Sequence, residues 1–495
     1  MWSSYLTRYA FCGINKMNTV LILIDERKFV MIKFGTGGWR AVIGDDFTKE
    51  NICKVAQALA NLMHDEKLDT KEVIIGHDRR FLSDSATDWV ASVLSANGIK
   101  VVLMARSVHT PMVMHYAMKH DLDFAIEITA SHNPSAYNGI KVFVKDGRDA
   151  DVDFTDKLEA YIAKLEKINY KDIPNENTRI LKNPFNEYID DILALMDTDA
   201  MREHGARILF NPMHGSSSYP LNCILYSTRC TVDLINSNKD AYFGGMMPAP
   251  AEDTLKDLAE EVVRGKYELG IALDGDGDRL GVIDNAGNYI DANQILVMFY
   301  YYLHEYKGWR GPVVRNLATT HMLDKVAADL GEECYEVPIG FKWVSAKIDE
   351  KDAILGGESS GGLTVRGHIH GKDSVYAATL FVEMISKIGK TPSQFYSELE
   401  AKYGVHKMVE ANLKFAPEVK ESVVNTVMVE KKLPEFSAKV TRVSYEDGCK
   451  VYFENDDFVI CRFSGTEPIL RIFAESSTKE VAKGYIDAFK SMLGF

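Results

Sequence analysis

The sequence predicts an α/β protein, built as three consecutive mixed α/β domains of related topology and a smaller C-terminal α+β domain. Two observations carry that reading. One pattern occurs three times: an apolar strand, a polar loop, an apolar-periodic helix and a second apolar strand, the signature of βαβ units and largely parallel sheets. The last part of the chain reads differently, as closely spaced strands followed by one amphipathic helix. A length of 495 residues fits, since roughly 100–200 residues make one domain.

The first copy of the pattern is a strand at 73–76, a helix through Trp89 to Leu94, Gly98, and a strand at 99–104. The second is a strand at 207–210, a helix around 221–225 and a strand at 232–235. The third is a strand at 313–314, a helix at 320–330 ended by Gly331, and a strand at 335–337. Amphipathic helices at 154–165 and 187–196 suit the junction between the first two domains. The tail carries strands near 440–443, 451–453, 458–463 and 469–473. Its final helix begins at Ser477, with Glu480 placed to close a capping box. Val481, Tyr485, Ile486, Phe489 and Met492 share one face of that helix. The resulting divisions are 31–185, 186–292, 293–404 and 405–495.

Composition limits what such a chain can do. It is 46% hydrophobic and 26% charged, so it can bury several cores. Its 71 acidic residues against 57 Lys and Arg give a formal charge of −14, which argues against nucleic acid or an anionic membrane as partner. A local basic pocket for a small anion stays compatible with it. Seven cysteines, none spaced C-x-x-C, fit neither a disulfide framework nor a zinc ribbon. A cytoplasmic location is expected. The longest apolar run, 295–303, is too short for a membrane span of about 20 residues and reads as a buried helix. Residues 1–30 lack a signal-peptide core and cleavage site. They read as a leader or a start called too early, outside the fold, with initiation at Met31.

Five motifs carry chemistry. Asp274-Gly275-Asp276-Gly277-Asp278-Arg279 lies between two apolar runs. Three carboxylates at alternate positions can curl around one hard cation, and they repel one another without it. An EF-hand would need Gly where Arg279 stands and Glu where Asn285 stands, so Mg²⁺ is expected. Thr129-Ala130-Ser131-His132-Asn133-Pro134 sits between strands at 124–128 and 140–144. It is neither a G-x-S-x-G elbow nor a triad; with a Mg²⁺ loop elsewhere, Ser131 reads as a phosphorylatable serine. Arg462-Phe463-Ser464-Gly465-Thr466-Glu467-Pro468, with Arg471, supplies hydroxyls and guanidinium groups suited to a phosphate monoester. In Gly356-Gly357-Glu358-Ser359-Ser360-Gly361-Gly362, Glu358 and Ser360 offer an acceptor and a donor for sugar hydroxyls. Phe34-Gly35-Thr36-Gly37-Gly38-Trp39-Arg40 has neither the order of a Walker loop nor that of a dinucleotide fingerprint.

Together and in this order the five motifs resemble those of the α-D-phosphohexomutase superfamily, in its phosphoglucomutase/phosphomannomutase branch, from about Met31 to the C-terminus. The resemblance implies four domains around a central cleft, each contributing one motif. It implies that Ser131 carries the phosphoryl group and that Asp274, Asp276 and Asp278 bind Mg²⁺ together with a phosphate oxygen on Ser131. It implies that Glu358 and Ser360 hold two sugar hydroxyls, that Lys342 lies near the sugar, and that Arg462, Ser464, Gly465, Thr466 and Arg471 grip the phosphate that is not reacting. Arg40, His132, Lys141 and Arg279 match positions that assist proton transfer and charge neutralisation.

The implied activity is reversible phosphoryl transfer between the 1- and 6-positions of an α-D-hexose phosphate, glucose first, with mannose as a further candidate. It would run through a phosphoserine and a hexose 1,6-bisphosphate, which would also act as activator. Phosphoglucosamine or N-acetylglucosamine phosphate mutase and glucose 1,6-bisphosphate synthase are the enzymatic alternatives; a catalytically silent sugar-phosphate sensor is the other. The expected partners are hexose phosphates, with no nucleic acid and no membrane, in a monomer or homodimer. Two departures stand out. Gly37 replaces a common Ser. Gly362 stands where some relatives place His, so a histidine proton donor is absent from that spot, with His368 and His370 nearby as candidates to substitute.

Overall fold

The computed structural model describes residues 32–35, 38–68, 71–414, 417–463 and 469–495. The expected leader, Gly37, and Ser464, Gly465 and Thr466 of the phosphate loop lie outside them. Three α/β units follow one another, and their sheets share one topology. In the first, strand Val73–His77 lies between Val101–Met104 and Ala125–Ile128, all parallel, and Ala125–Ile128 pairs with antiparallel Tyr137–Val144. In the second, Arg207–Asn211 lies between Thr231–Leu234 and Leu269–Leu273, which pairs with antiparallel Leu280–Asp284. In the third, Val313–Asn316 lies between Cys334–Val337 and Leu355–Gly357, which pairs with antiparallel Leu363–Val365.

The consequence for function is direct. The serine, aspartate and sugar motifs occupy the same place in each unit, the loop joining the outer parallel strand to its antiparallel partner. That place is the carboxyl end of a parallel strand, where open α/β sheets bind ligands. The tail is a five-stranded antiparallel sheet, in which strands Phe458–Phe463 and Ile469–Ser476 pair on either side of the phosphate motif.

Local chemistry accounts for the helices. Helix Ser374–Ile388 starts where Asp373 accepts from the amides of Val375 and Tyr376, and ends at Gly389 with φ +66°. In the final helix, Lys479–Leu493, the cap is Thr478, which accepts from the Val481 amide. The expected start at Ser477 is thus one residue early, and Glu480, in the first turn, closes no capping box. Apolar burial holds the units together. Phe299 and Phe381 are fully buried and cross edge to face at 5.8 Å, each contributing roughly 2–3 kcal/mol. Leu317 and Ala318 of the third unit pack with Phe458 and Ile460 of the tail sheet, fixing the last domain to the third. Among the described residues no helix is long and apolar enough to cross a membrane, and the six cysteines are free.

Candidate active site

The serine loop is held by an arginine that the sequence did not single out. Arg80 is buried at the end of strand Val73–His77. Its Nη1 donates to the carbonyls of Pro134 (2.9 Å) and Tyr137 (3.0 Å), and its Nη2 to those of Asn133 (2.7 Å) and Ser131. One planar fork therefore gathers four carbonyls of the loop. Asp78 lies 3.2 Å from Arg80 Nε and accepts from Thr129 Oγ1 at 2.7 Å. Ser131 is buried with φ +52°, a conformation costly for a residue with a Cβ. Its Oγ lies 3.3 Å from His132 Nδ1. Burial, then the charges of Arg279 and Arg40, push the His132 imidazole well below its ordinary range, so it is neutral at pH 7. Strand Trp39–Val42 pairs beside this loop, and Arg40 Nη1 donates to Asn133 Oδ1 at 2.7 Å.

The aspartate loop lies against the serine loop. A Cβ on Gly275 would sit 3.1 Å from the Ser131 carbonyl oxygen, tighter than most side chains tolerate. All three aspartates are buried. Asp274 Oδ1 accepts from the amides of Asp278 (2.8 Å) and Arg279 (3.0 Å). Asp276 Oδ2 accepts from Thr110 Oγ1 (2.8 Å) and Lys141 Nζ (2.7 Å). Asp278 Oδ2 meets Lys372 Nζ at 2.9 Å and Lys141 Nζ at 3.5 Å. Arg279 Nε is 3.7 Å from Asp278 Oδ1. Each carboxylate thus commits one oxygen to protein donors. The other oxygens, Asp274 Oδ2, Asp276 Oδ1 and Asp278 Oδ1, are buried with no hydrogen-bond partner among the described residues.

Ligand oxygens from the three residues lie within 4.8 Å of one another. Orphaned buried carboxylate oxygens are costly, and an all-oxygen set of this kind fits Mg²⁺. Burial, reinforced by Asp278 and Asp276, drives the Asp274 carboxyl well above its usual range. Burial also opposes ionisation of Asp278, but Lys372, Lys141 and Arg279 outweigh it and hold that carboxyl well below.

The third unit closes over this loop. Ser374 donates to the Gly277 carbonyl from both its amide (3.1 Å) and its hydroxyl (2.6 Å). The Gly361 carbonyl accepts from Leu280 N at 3.3 Å. Glu358 Oε1 accepts from Asn316 Nδ2 (3.0 Å) and from the Gly340 amide (3.1 Å). Among the described residues no donor engages Oε2. Ser360 is exposed at the tip of the same loop. Lys342 is half-buried at the start of helix Phe341–Lys351, two residues after Gly340, with its ammonium 5.1 Å from the centre of the Trp343 ring. In the tail, Arg462 Nε donates to Asp447 Oδ1 at 2.9 Å, and Arg471 lies opposite Arg462.

Three loops are thus gathered on one acidic centre ringed by cationic side chains. Models of phosphoglucomutase/phosphomannomutase α/β/α domains I, II and III match residues 31–169, 186–287 and 291–403. A Methanopyrus kandleri protein named "Probable phosphoglucosamine mutase" is 30% identical, aligned over 92% of this chain and 96% of its own length. The chain belongs to the α-D-phosphohexomutase superfamily. A Thermococcus kodakarensis phosphoglucomutase/phosphomannomutase is 28% identical over 92% of this chain and 96% of its own. The Paramecium phosphoglucomutase parafusin, in its open form, shares the fold at TM-score 0.79 and 21% identity, covering 93% and 94% of the two chains.

Within this phosphohexomutase, Gly362 has a local explanation. A Cβ there would lie 2.0 Å from Lys372 Cδ, so the lysine on its way to Asp278 occupies the space a side chain would need. The two histidines expected as substitutes are engaged elsewhere. His368 Nε2 pairs with Asp373 Oδ2 at 2.7 Å, and His370 lies beside Arg148 and Asp349. Lys372, Arg80, Asn316 and Asp447 escaped the sequence reading. For Arg80 a signal existed, an Asp-Arg-Arg cluster directly after a parallel strand; Lys372 has no comparable mark.

Proposed function

We propose that this phosphohexomutase moves a phosphoryl group between O1 and O6 of an α-D-hexose, with glucose 1-phosphate as its preferred substrate. The carrier is phosphorylated Ser131. The observation that supports this most is the press of the aspartate loop on the Ser131 carbonyl, with three free carboxylate oxygens beside it. Mg²⁺, held by Asp274, Asp276, Asp278 and a phosphate oxygen on Ser131, would neutralise charge on the transferring group.

The chain's own residues do the rest. The bond between Ser131 Oγ and phosphorus breaks as the bond from the sugar hydroxyl oxygen to phosphorus forms. The hydroxyl loses a proton, and Ser131 Oγ gains one. Neutral His132, with Nδ1 3.3 Å from Oγ, is placed to relay that proton between the two atoms. Lys141 and Lys372 offset the aspartates, while Arg40 and Arg279 face the transferring charge. The hexose 1,6-bisphosphate then turns over. The free oxygen of Glu358 receives a hydroxyl in either orientation, with Ser360 and Lys342 beside it, and Arg462 and Arg471 hold the idle phosphate alongside Ser464, Gly465 and Thr466. Free hexose 1,6-bisphosphate would prime the serine.

Intact mass after incubation with glucose 1,6-bisphosphate tests this reading. One phosphate adduct that maps to Ser131 and is absent from Ser131→Ala is expected. A Ser131→Ala protein that still interconverts the sugar phosphates at the parent rate would sink it. The relative named as a phosphoglucosamine mutase favours a second reading, an amino-sugar phosphate as substrate. Rates on glucose, mannose, glucosamine and N-acetylglucosamine 1-phosphates separate the two. A tenfold preference corresponds to only about 1.4 kcal/mol, little more than one hydrogen bond.

A further inference from the structure

Two acids from different domains hang on two successive backbone amides. Ile339 N donates to Asp447 Oδ2 at 3.0 Å, and Gly340 N donates to Glu358 Oε1 at 3.1 Å. Asp447 belongs to the turn before strand Cys449–Phe453 of the tail sheet. Its other oxygen takes the Nε proton of Arg462 at 2.9 Å. The turn is pressed onto the arginine's strand, since a Cβ on Gly448 would lie 2.5 Å from the Cys461 carbonyl and 3.1 Å from Arg462 Cα.

The division of atoms is the informative part. Asp447 engages Arg462 through Nε, and among the described residues no acceptor takes its two terminal nitrogens, a fork suited to a phosphate. Glu358 is anchored through Oε1, which leaves Oε2 for a sugar hydroxyl. The 339–340 amides therefore set the separation between the group that reads the phosphate and the group that reads the hydroxyls. We propose that Asp447 is a positioning residue: it aims Arg462 at the idle phosphate and keeps that fork in register with Glu358. This rests on the phosphohexomutase reading and specifies how its substrate is measured.

The test uses Asp447→Asn in the full chain. Asparagine keeps the shape and can still accept from Ile339 N, but it turns an amide donor toward Arg462 Nε. We expect KM for the preferred hexose 1-phosphate to rise about tenfold or more, with kcat within about threefold, because ground state and transition state lose the same contact. The thermal midpoint should move little, and the phosphate adduct on Ser131 should still form with excess 1,6-bisphosphate. The double variant Asp447→Asn/Arg462→Gln should raise KM no further than Arg462→Gln alone. An unchanged KM in an active Asp447→Asn protein, or effects of the two substitutions that multiply, would overturn the inference. A parent protein with neither turnover nor a Ser131 adduct would instead remove the reading beneath it.

Discussion

Arg462 and Arg471 stand directly opposite one another across the antiparallel strands Phe458–Phe463 and Ile469–Ser476, and Arg471 Nε is buried with no hydrogen-bond partner among the described residues. Like charges so placed destabilise a sheet by a few tenths of a kcal/mol up to about 1 kcal/mol. An anion between them reverses the sign. Inorganic phosphate should therefore raise the thermal midpoint more than chloride at equal ionic strength. Arg471→Met should abolish that increment and raise KM about tenfold or more, without lowering stability in phosphate-free buffer. Differential scanning fluorimetry and steady-state kinetics check both halves.

The three aspartates make a matching prediction for cation removal. Ligand bound at about a hundredfold its Kd adds roughly 2.7 kcal/mol to stability, so Mg²⁺ should raise the midpoint and chelator should lower it. Asp274→Asn can keep the two amide contacts at Oδ1 while removing one charge from a crowded trio. In chelator it should be as stable as the parent or more so, and its midpoint should hardly respond to Mg²⁺. A variant that retains the full Mg²⁺ increment would show that Asp274 is not a ligand.

Arg80 makes the case for geometry over charge. Lysine preserves the charge beside Asp78 but cannot span the carbonyls of Ser131, Asn133, Pro134 and Tyr137. Arg80→Lys should lower kcat about a hundredfold with KM nearly unchanged, since the side chain shapes the loop of Ser131, the proposed phosphoryl carrier. An equal change in KM and none in kcat would contradict that assignment.

His109 predicts an acid-side stability slope. Tyr188 gives its single proton to Asp373, so His109 Nε2 donates to the Tyr188 oxygen at 2.8 Å, while Nδ1 is buried with no partner among the described residues. Burial pushes the imidazole down to about 4. Its folded value lies below its unfolded value of about 6.5, so the unfolded chain binds the extra proton between those limits. Stability should rise with pH from about 4 to about 6.5 and level off above, with about 3 kcal/mol at stake in this one group. Midpoints across that range should rise less steeply for His109→Gln than for the parent.

Much of this was legible in the sequence because the motifs mark ends of strands. Asp274 to Arg279 lay between apolar runs, Thr129 to Pro134 between two strands and Gly356 to Gly362 after a short one, and each falls where a parallel strand turns to its antiparallel partner. Residues whose partners are distant in sequence were not legible. Lys141 and Asp276 are 135 residues apart, and they were linked by family resemblance alone. Lys372 is one lysine among many until the fold carries it past Gly362 to Asp278. Asp447 reads as an ordinary turn acid until the tail sheet is docked against Ile339. The final helix shows a finer limit. Ser477 and Thr478 both carry suitable hydroxyls, and only the contact of Thr478 with Val481 N decides between them.

The close approach of Gly275 to the Ser131 carbonyl has a consequence for engineering. The two loops belong to different domains yet fit like the halves of a mould, so neither can be recast alone. A graft of this chemistry onto another scaffold would have to transplant both loops as one cassette, with Arg80 included. A side chain at position 275 would require the Ser131 carbonyl to give by a few tenths of an ångström, so a library diversified there should favour glycine and small residues. Substrate range, by contrast, should be open to change from the side of Glu358 and Lys342, which the mould leaves untouched.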